Sequence, residues 1–287
     1  MYAITGISGK VGGSLANVLL ETGQPVRAVV RNPSNGASWT ARGCEQAIAQ
    51  MTDADALARA FDGAEGVFIL PPSEFDPAPG FPEAREVIDA VTSALTRAQP
   101  RRIVCLSTIG AQAVQTNLLT QRTLMEQALS TLSIPVAFLR PAWFMENAAW
   151  DVASARDDGI LHSFLQPLDK AFPMVATADI GRVAARLLQE DWQGKRVVEL
   201  EGPSRVSPND IAQAFSRVLG RPVHAQAVAR ESWDTLFTGQ GMKDPVPRIR
   251  MLDGFNEGWI DFEGDEDSII KGQLALSAVI RKLVEGA

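Results

Sequence analysis

Polar and apolar residues near the start of the chain follow the order strand, turn, helix, strand. Residues 2–5 form a short apolar run that is typical of a strand. Apolar side chains then recur at helical spacing on one face, at Val11, Leu15, Val18 and Leu19. Gly23 is typical of a helix C-cap, and the β-branched run over 26–30 is typical of a strand buried on both faces. Together these patterns predict one β-α-β unit.

The same alternation continues over the first half of the chain. Further strands are predicted at 45–48, 66–70, 102–107 and 136–140, and further helices at 53–61, 83–98 and 119–132. Parallel strands need crossover connections, and right-handed crossovers place helices on both faces of a sheet. The pattern therefore predicts an α/β fold, a Rossmann-type doubly wound parallel sheet.

The regular alternation of strand and helix patterns ends after Gly110, where longer stretches of mixed polar and apolar residues separate the predicted elements. The stretches "ATADIGRVAARLLQE" and "SPNDIAQAFSRVLG" indicate helices, the second with Ser207 as its N-cap, and "KRVVELEG" indicates a strand. The chain is expected to form a Rossmann domain over 1–141, with 173–200 returning to it, and a smaller discontinuous α/β substrate lobe over 142–172 and 201–287.

Three glycines separate the first predicted strand from the first predicted helix, in the sequence "MYAITGISGKVGG". In this arrangement Gly6 allows a sharp turn, Gly9 lets a pyrophosphate approach the backbone, and Gly12 lets the helix pack against the strand. Unpaired N–H groups at the helix start would face the anion. We therefore expect a dinucleotide site with contacts from Gly6, Ile7, Ser8, Gly9, Lys10, Val11 and Gly12. The alternative is a tightly packed turn that starts the helix and binds no ligand.

The end of the second predicted strand indicates which nucleotide would bind. A carboxylate at this position accepts hydrogen bonds from the ribose 2′-hydroxyl and would repel a 2′-phosphate. This chain has Arg31 and Asn32 there instead. Because a guanidinium forms charge-assisted bonds with a phosphate, we predict that NADP(H) is preferred over NAD(H). The alternative is an exposed, solvated arginine at a strand end.

Composition and charge exclude several classes of protein. No apolar run approaches the roughly 18 residues that cross a bilayer, and no signal-peptide pattern is present, so we expect a cytoplasmic protein without membrane association. The net charge of −7 and the dispersed basic residues argue against direct nucleic-acid binding. Cys44 and Cys105 are expected to be buried, reduced thiols. His162 and His224 lack metal-ligand spacing, so no metal site is predicted.

Several motifs in order resemble a known family. They are "TGISGKVGG", the Arg31-Asn32-Pro33 turn, "GVFILPPS", "RRIVCLSTIGA", "LRPAWFMEN" and "VATADIGRVAARLL". The chain resembles the NmrA-like branch of the atypical short-chain dehydrogenase/reductases, with similarity to members of the NAD(P)H:quinone oxidoreductase and triphenylmethane reductase type. The resemblance implies an NAD(P)-binding Rossmann domain with a small substrate lobe. It is compatible with reductases of quinones, dyes and phenylpropanoids, and with regulators that bind the cofactor without turning it over.

The chain also departs from this pattern at chemically important positions. Enzymes of the wider superfamily use Tyr-x-x-x-Lys, in which the lysine lowers the tyrosine pKa and the phenol transfers a proton. The single tyrosine here is Tyr2, in the first predicted strand, so that mechanism is not available. Arg122 takes the place where several relatives carry the lysine, and Leu118 lies four residues earlier. Gln50 lies where relatives often have an aspartate near the adenine.

Ligands of doubly wound sheets lie beyond the carboxyl ends of the strands, which selects the other candidate residues. Catalytic candidates are Ser107, Thr108 and Arg122. Further cofactor contacts are expected from Leu70, Pro71, Pro72, Ser107, Arg122 and Pro141. Substrate contacts are expected from Ser73, Phe75, Trp143, Phe144 and Asn147. The alternatives are hydroxyl groups that only end strands and aromatic side chains that only fill the core.

These features favour an NADPH-dependent oxidoreductase that transfers hydride to a small, planar, apolar electrophile such as a quinone or dye. No strong protein acid is needed for such an acceptor, because its anion is delocalised and water can protonate it. The alternative is a non-catalytic NADP(H) redox sensor that acts through a protein partner. The sequence leaves open whether the helices at 83–98 and 119–132 form a homodimer.

Overall fold

The main sheet contains eight of the twelve strands formed by residues 1–286. A computed structural model describes residues 1–286; residue 287, the last of the predicted substrate lobe, lies outside the described residues. The strands are β1 (Tyr2–Thr5), β2 (Val26–Val30), β3 (Glu45–Ile48), β4 (Gly66–Ile69), β5 (Arg102–Leu106), β6 (Val136–Pro141), β7 (Trp143–Phe144), β8 (Ile160–Ser163), β9 (Met174–Val175), β10 (Lys195–Glu201), β11 (His224–Ala227) and β12 (Ile270–Lys271).

The helices alternate with these strands over the first half of the chain. They are α1 (Lys10–Glu21), α2 (Ala37–Thr40), α3 (Ala54–Phe61), α4 (Pro82–Ala98), α5 (Thr120–Ser130), α6 (Val152–Asp157), α7 (Thr177–Gln189), α8 (Pro208–Leu219), α9 (Trp233–Gly239), α10 (Val246–Glu257) and α11 (Leu276–Glu285). The helix predicted at 119–132 is shorter at both ends than expected. The strands predicted at 66–70 and 102–107 each end one residue earlier.

The main sheet has the strand order β12-β10-β6-β5-β4-β1-β2-β3. All of its neighbouring strands pair in parallel. The order reverses between β1 and β4, because β1 pairs with both β2 and β4. This is the doubly wound, Rossmann-type α/β sheet that the alternating pattern predicts, and the reversal point is where such folds open a crevice for ligands.

Two apolar layers cover the sheet. On one face α1 and α7 contribute Leu15, Leu19, Ile180 and Leu188 to a buried cluster. On the other face α3, α4 and α5 contribute Leu57, Val91, Leu95 and Met125. Burial of each large apolar side chain contributes roughly 1.5–3 kcal/mol. Helix α1 packs closely on α7, since a Cβ atom on Gly181 would lie 2.5 Å from the Cβ of Ser14.

The later part of the chain adds a separate apolar cluster. Trp233 and Phe237 of α9 are fully buried there, and Phe164 packs on both rings. Two small parallel sheets lie outside the main one: β7 pairs with β9, and β8 with β11. Strand β12 falls within the range expected for the substrate lobe, yet it pairs with β10 at the edge of the main sheet. The division into two lobes stays a prediction.

Both cysteines are free and buried, as expected from the sequence. Burial raises the pKa of the Cys44 thiol, and it raises the pKa of Cys105 to about 12. Within residues 1–286, no helix combines the length and the apolar character that crossing a membrane requires. Over the same residues, no three histidine, cysteine, aspartate or glutamate side chains come together in a way that could hold a metal ion.

Candidate functional site

The glycine turn between β1 and α1 is built so tightly that side chains are excluded. Gly6 has φ +65°, in the left-handed region that favours glycine. A Cβ atom on Gly12 would lie 2.3 Å from the carbonyl oxygen of Gly6, which is far closer than two such atoms can approach. The first turn of α1 therefore lies directly against the turn that precedes it.

The start of α1 offers unpaired backbone donors. Gly9 is the N-cap residue and has no side chain to accept from the first-turn amides, and that turn contains no acidic residue. The first N–H groups of a helix have no intrahelical partner, and the helix dipole is positive at this end. Ser8, Gly9 and Lys10 are exposed, whereas Ile7, Val11 and Gly12 are buried. The arrangement can bind an anion such as a pyrophosphate.

Arg31 and Asn32 follow β2 at the same edge of the sheet, and both are exposed. The next residues form a short turn that is held from β3, because the Gln46 Nε2 donates to the carbonyl of Pro33 at 2.9 Å. Gln50, just after β3, is also exposed. A cationic side chain and free polar groups therefore lie beside the crevice, where an adenosine ribose would extend.

The segment after β4 is tied to the glycine turn. The Thr5 hydroxyl donates to the carbonyl of Phe68 at 3.1 Å and accepts from the amide of Leu70 at 2.7 Å. A Cβ atom on Gly6 would lie 3.1 Å from the Leu70 side chain. Two predicted parts of the cofactor site, the glycine turn and Leu70, are thus in direct contact.

Arg122 holds the loop that continues from Leu70. Its guanidinium donates to the carbonyls of Pro71 at 2.9 Å and Pro72 at 3.1 Å, and to the Ser73 hydroxyl at 2.6 Å. Burial lowers the pKa of Arg122 to about 10, so the group remains charged at neutral pH. Four predicted site residues are therefore in contact, because Arg122 hydrogen-bonds to Pro71, Pro72 and Ser73.

Two further contacts fix the same loop. The Gln121 side chain donates to the carbonyl of Glu74 at 2.8 Å and accepts from its amide at 3.2 Å. The Asp76 carboxylate accepts from the amides of Lys243 and Asp244, and these backbone hydrogen bonds lower its pKa. Phe75, a predicted substrate contact, lies between these attachments and its side chain is 59% exposed.

Ser107, at the end of β5, is held by a carboxylate that the sequence interpretation missed. Its amide donates to the carbonyl of Leu139 at 2.7 Å, and its hydroxyl donates to the Glu126 Oε1. Glu126 lies on α5 and is also bound by Arg140, through Nε at 2.9 Å and Nη2 at 2.7 Å. The helical spacing of four residues between Arg122 and Glu126 places both on one side of α5 and is the signal that could have identified Glu126.

Arg140 lies at the centre of a wider network of carboxylates. Besides Glu126, it donates to Glu263 at 2.8 Å and lies 3.9 Å from Glu199. Glu199 in turn accepts from the amides of Glu263 and Gly264. Burial opposes the positive charge, but the hydrogen bonds to Glu126 and Glu263 outweigh it and raise the pKa of Arg140. The acidic stretch over 261–267 is thereby attached to β10 of the main sheet.

The remaining candidates follow the carboxyl ends of β5 and β6 and make less specific contacts. Thr108, Trp143, Phe144 and Asn147 are half-buried, and Pro141 is buried with its carbonyl accepting from the amide of Ile109. Trp143 packs edge-on against Phe255, with ring centroids 5.2 Å apart. Phe144 packs against the same apolar cluster as Leu70. Trp143 and Phe144 therefore pack on two different apolar clusters just beyond β6.

Tyr2 and Leu118 lie outside the chemistry of the site. Tyr2 is buried at the amino end of β1, whereas the glycine turn follows its carboxyl end. Leu118 is buried in the apolar cluster formed with Trp233 and Phe237. The described residues therefore place no phenol beside the crevice.

The strand order and the glycine turn together define a Rossmann-type α/β protein. The chain belongs to the NmrA-like family, whose model matches residues 2–252. It is similar to the NAD(P)H azoreductase of Xenophilus azovorans, with 26% identity over 249 residues that cover 86% of this chain and 83% of the relative. It is also similar to quinone oxidoreductase 2 of Escherichia coli strain K12, with 26% identity over 246 residues that cover 85% and 83%.

A solved structure extends the likeness over almost the whole chain. The triphenylmethane reductase of Citrobacter sp., complexed with NADP(H), superposes with a TM-score of 0.79 and 20% identity, covering 98% of this chain and 99% of that one. At this identity the match establishes the shared fold.

Proposed function

We propose that this protein is an NADPH-dependent reductase that transfers hydride to a small, planar, conjugated electrophile such as a quinone or a dye. The observation that carries the proposal is the start of α1, where the N-cap residue Gly9 has no side chain to accept from the first-turn amides and Gly12 packs against Gly6. The names of the similar proteins, an NAD(P)H azoreductase and a quinone oxidoreductase, support the same class of reaction.

The residues at the sheet edge fit a dinucleotide. The backbone of Gly6, Ile7, Ser8, Gly9, Lys10, Val11 and Gly12 would hold the pyrophosphate. Leu70, Pro71, Pro72, Ser107, Arg122 and Pro141 would hold the half of the cofactor that carries the nicotinamide. When bound, the reduced nicotinamide supplies the hydride.

Arg31 favours NADPH over NADH in this proposal. It is exposed at the end of β2, and the position holds no carboxylate that would repel a 2′-phosphate. Lys10, exposed at the start of α1, adds a second positive charge at the same edge of the sheet. Both charges favour the more anionic of the two dinucleotides.

In this proposal the chain itself positions the reacting groups and supplies apolar side chains that keep water away from them. Arg122 holds the loop of Pro71 and Pro72, and Trp143 and Phe144 offer aromatic surfaces on which a planar ring can pack. Water is expected to supply the proton, because Tyr2 lies at the far end of β1 and a conjugated acceptor gives a delocalised anion. Ser73, Phe75 and Asn147 complete the proposed substrate contacts, and the ranges 142–172 and 201–287 remain the proposed substrate lobe.

The test is NADPH consumption with a panel of quinones, azo dyes and triphenylmethane dyes. The unaltered protein should accelerate oxidation of NADPH by at least one of them, and the Gly12→Ala variant should not. NADPH binding without turnover of any acceptor would overturn the reductase proposal and favour the redox sensor. Absence of binding would overturn both.

A further inference from the structure

The buried pair of Glu126 and Arg140 lies directly behind the proposed site and is not used by the proposed reaction. Glu126 is 8% exposed, Arg140 5% and Ser107 5%. Burial of an isolated charge costs several kcal/mol, so a buried ion pair is tolerated only where hydrogen bonds satisfy both of its charged groups. Here both oxygens of Glu126 accept from Arg140, which defines an ionised carboxylate without a proton of its own.

This geometry determines the direction of the hydrogen bond to Ser107. A serine hydroxyl has one hydrogen and two acceptor lone pairs. Since Glu126 carries no proton, the hydrogen between the two side chains belongs to Ser107. Any additional hydrogen bond made by the Ser107 oxygen must therefore be one that it accepts.

We infer that Glu126 is a positioning residue that makes Ser107 a hydrogen-bond acceptor toward the bound ligands. The inference rests on the proposed reductase function and specifies the chemistry of that site. The group that contacts Ser107 is then an N–H or O–H of the cofactor or of the substrate. A carbonyl oxygen that becomes negative during reduction is not stabilised by this side chain.

Replacing Glu126 by glutamine should remove this fixed polarity. The Glu126 Oε1 accepts from both Ser107 and the Arg140 Nε, and the Oε2 accepts from the Arg140 Nη2, so either orientation of a glutamine amide places its NH2 group against one donor of Arg140. Ser107 can then accept from the NH2 group as well as donate to the amide oxygen, so its hydrogen is no longer committed to residue 126. Glu199 and Glu263 would still neutralise Arg140, which limits the cost to folding.

The experiment is a double-mutant cycle of Glu126→Gln, Ser107→Ala and their combination. It is measured on kcat/KM for NADPH and for a quinone, and separately on the dissociation constant of NADPH. Glu126→Gln should lower one of the kcat/KM values, or raise the dissociation constant of NADPH, by about tenfold in the unaltered background and by less than about twofold when Ser107 is already alanine.

Glu263→Gln is the matched control, because it also removes a carboxylate from Arg140 but does not touch Ser107. It should leave the kinetic constants within about twofold. If Glu126→Gln does not fold, Glu126→Asp provides the same cycle, since it keeps the charge beside Arg140 and withdraws the oxygen from Ser107.

An effect of Glu126→Gln that is equally large with and without the Ser107 hydroxyl, in every constant measured, would overturn the inference and leave a purely structural ion pair. Failure of the unaltered protein to reduce any acceptor would overturn the proposed function instead. In that case the role of Glu126 is decided by the double-mutant cycle measured on NADPH affinity alone. Additive effects of Glu126→Gln and Ser107→Ala on that affinity would refute the inference.

Discussion

The Cα of Gly12 faces the carbonyl oxygen of Gly6 so closely that a Cβ atom on Gly12 would lie 2.3 Å from that oxygen. The contact brings the first turn of α1 against the end of β1. A side chain at this position would force the helix away from the turn and would misdirect the amides that are proposed to bind pyrophosphate.

We expect Gly12→Ala to weaken NADPH binding by more than about tenfold and to lower the melting temperature, because the clash involves backbone on both sides. Calorimetric titration and thermal unfolding measure the two effects. Gly13→Ala is the control, since its Cβ would lie 3.3 Å from the Ile7 oxygen, a distance that a small shift relieves. Equal affinities for the two variants would contradict the proposed anion site.

Arg31 is expected to decide between the two nicotinamide cofactors. Arg31→Ala should reduce NADPH affinity by about tenfold and leave NADH affinity within about twofold, because only NADPH carries the 2′-phosphate. The ratio of the two dissociation constants is the measurement. Arg101→Ala removes the same charge from an exposed arginine at the amino end of β5 and should leave the ratio unchanged. A ratio that Arg31→Ala does not alter would refute the assignment.

Arg122 should act through the loop that it clamps. Lysine has no planar fork and cannot reach Pro71, Pro72 and Ser73 together, so Arg122→Lys should loosen the loop although it preserves the charge. We expect the KM for NADPH to rise about tenfold and chymotrypsin to cleave faster after the exposed Phe75.

The control for Arg122 is Arg97→Lys, which alters an exposed ion pair with Asp55 on α3. It should affect neither the KM nor the cleavage rate, because exposed pairs contribute little. Unchanged cleavage in Arg122→Lys would show that the remaining contacts of Gln121 and Asp76 suffice to hold the loop.

Asp151 should make the stability of the protein depend on pH. Burial raises the pKa of this carboxyl to about 7, whereas in the unfolded chain it titrates near the ordinary value of about 3.9. Between these values the folded protein binds more protons than the unfolded chain, so its free energy of unfolding falls as the pH rises. Above about pH 7 the carboxylate is charged in both states, and the loss in the free energy of unfolding is complete.

Asp151→Asn should therefore raise the melting temperature by a few degrees at about pH 8 and have little effect at about pH 4. Thermal unfolding at the two pH values tests this. Asp158→Asn, at an exposed position just after α6, should shift neither transition appreciably. A stabilisation of Asp151→Asn that is the same at both pH values would contradict the burial of an ionisable carboxyl.

Much of the main sheet could be predicted because its signals are local. The runs at β1, β2 and β3 lie where the apolar pattern indicates them. Ser207 caps α8 as expected, and Asp210 completes a reciprocal capping box with it. Each of these features depends on side chains within a few positions of one another, so periodicity and capping reveal them.

The later part of the chain could not be predicted in the same way. Strands β7, β9 and β12 have two residues each, too few for an alternating pattern. Their existence depends on partners far away in the sequence, such as Met174 for Trp143 and Leu200 for Ile270. The contact of Glu263 with Arg140 likewise joins residues that no local spacing relates.

By itself the sequence determined the doubly wound sheet, the glycine turn at its edge and the cation after β2, because strand pattern, backbone freedom and charge are properties of short segments. The tertiary structure decided what Arg122 holds, which carboxylate faces Ser107 and where the acidic segment attaches. Those contacts arise only when strands that are distant in the chain end at one edge, where buried charges must find partners.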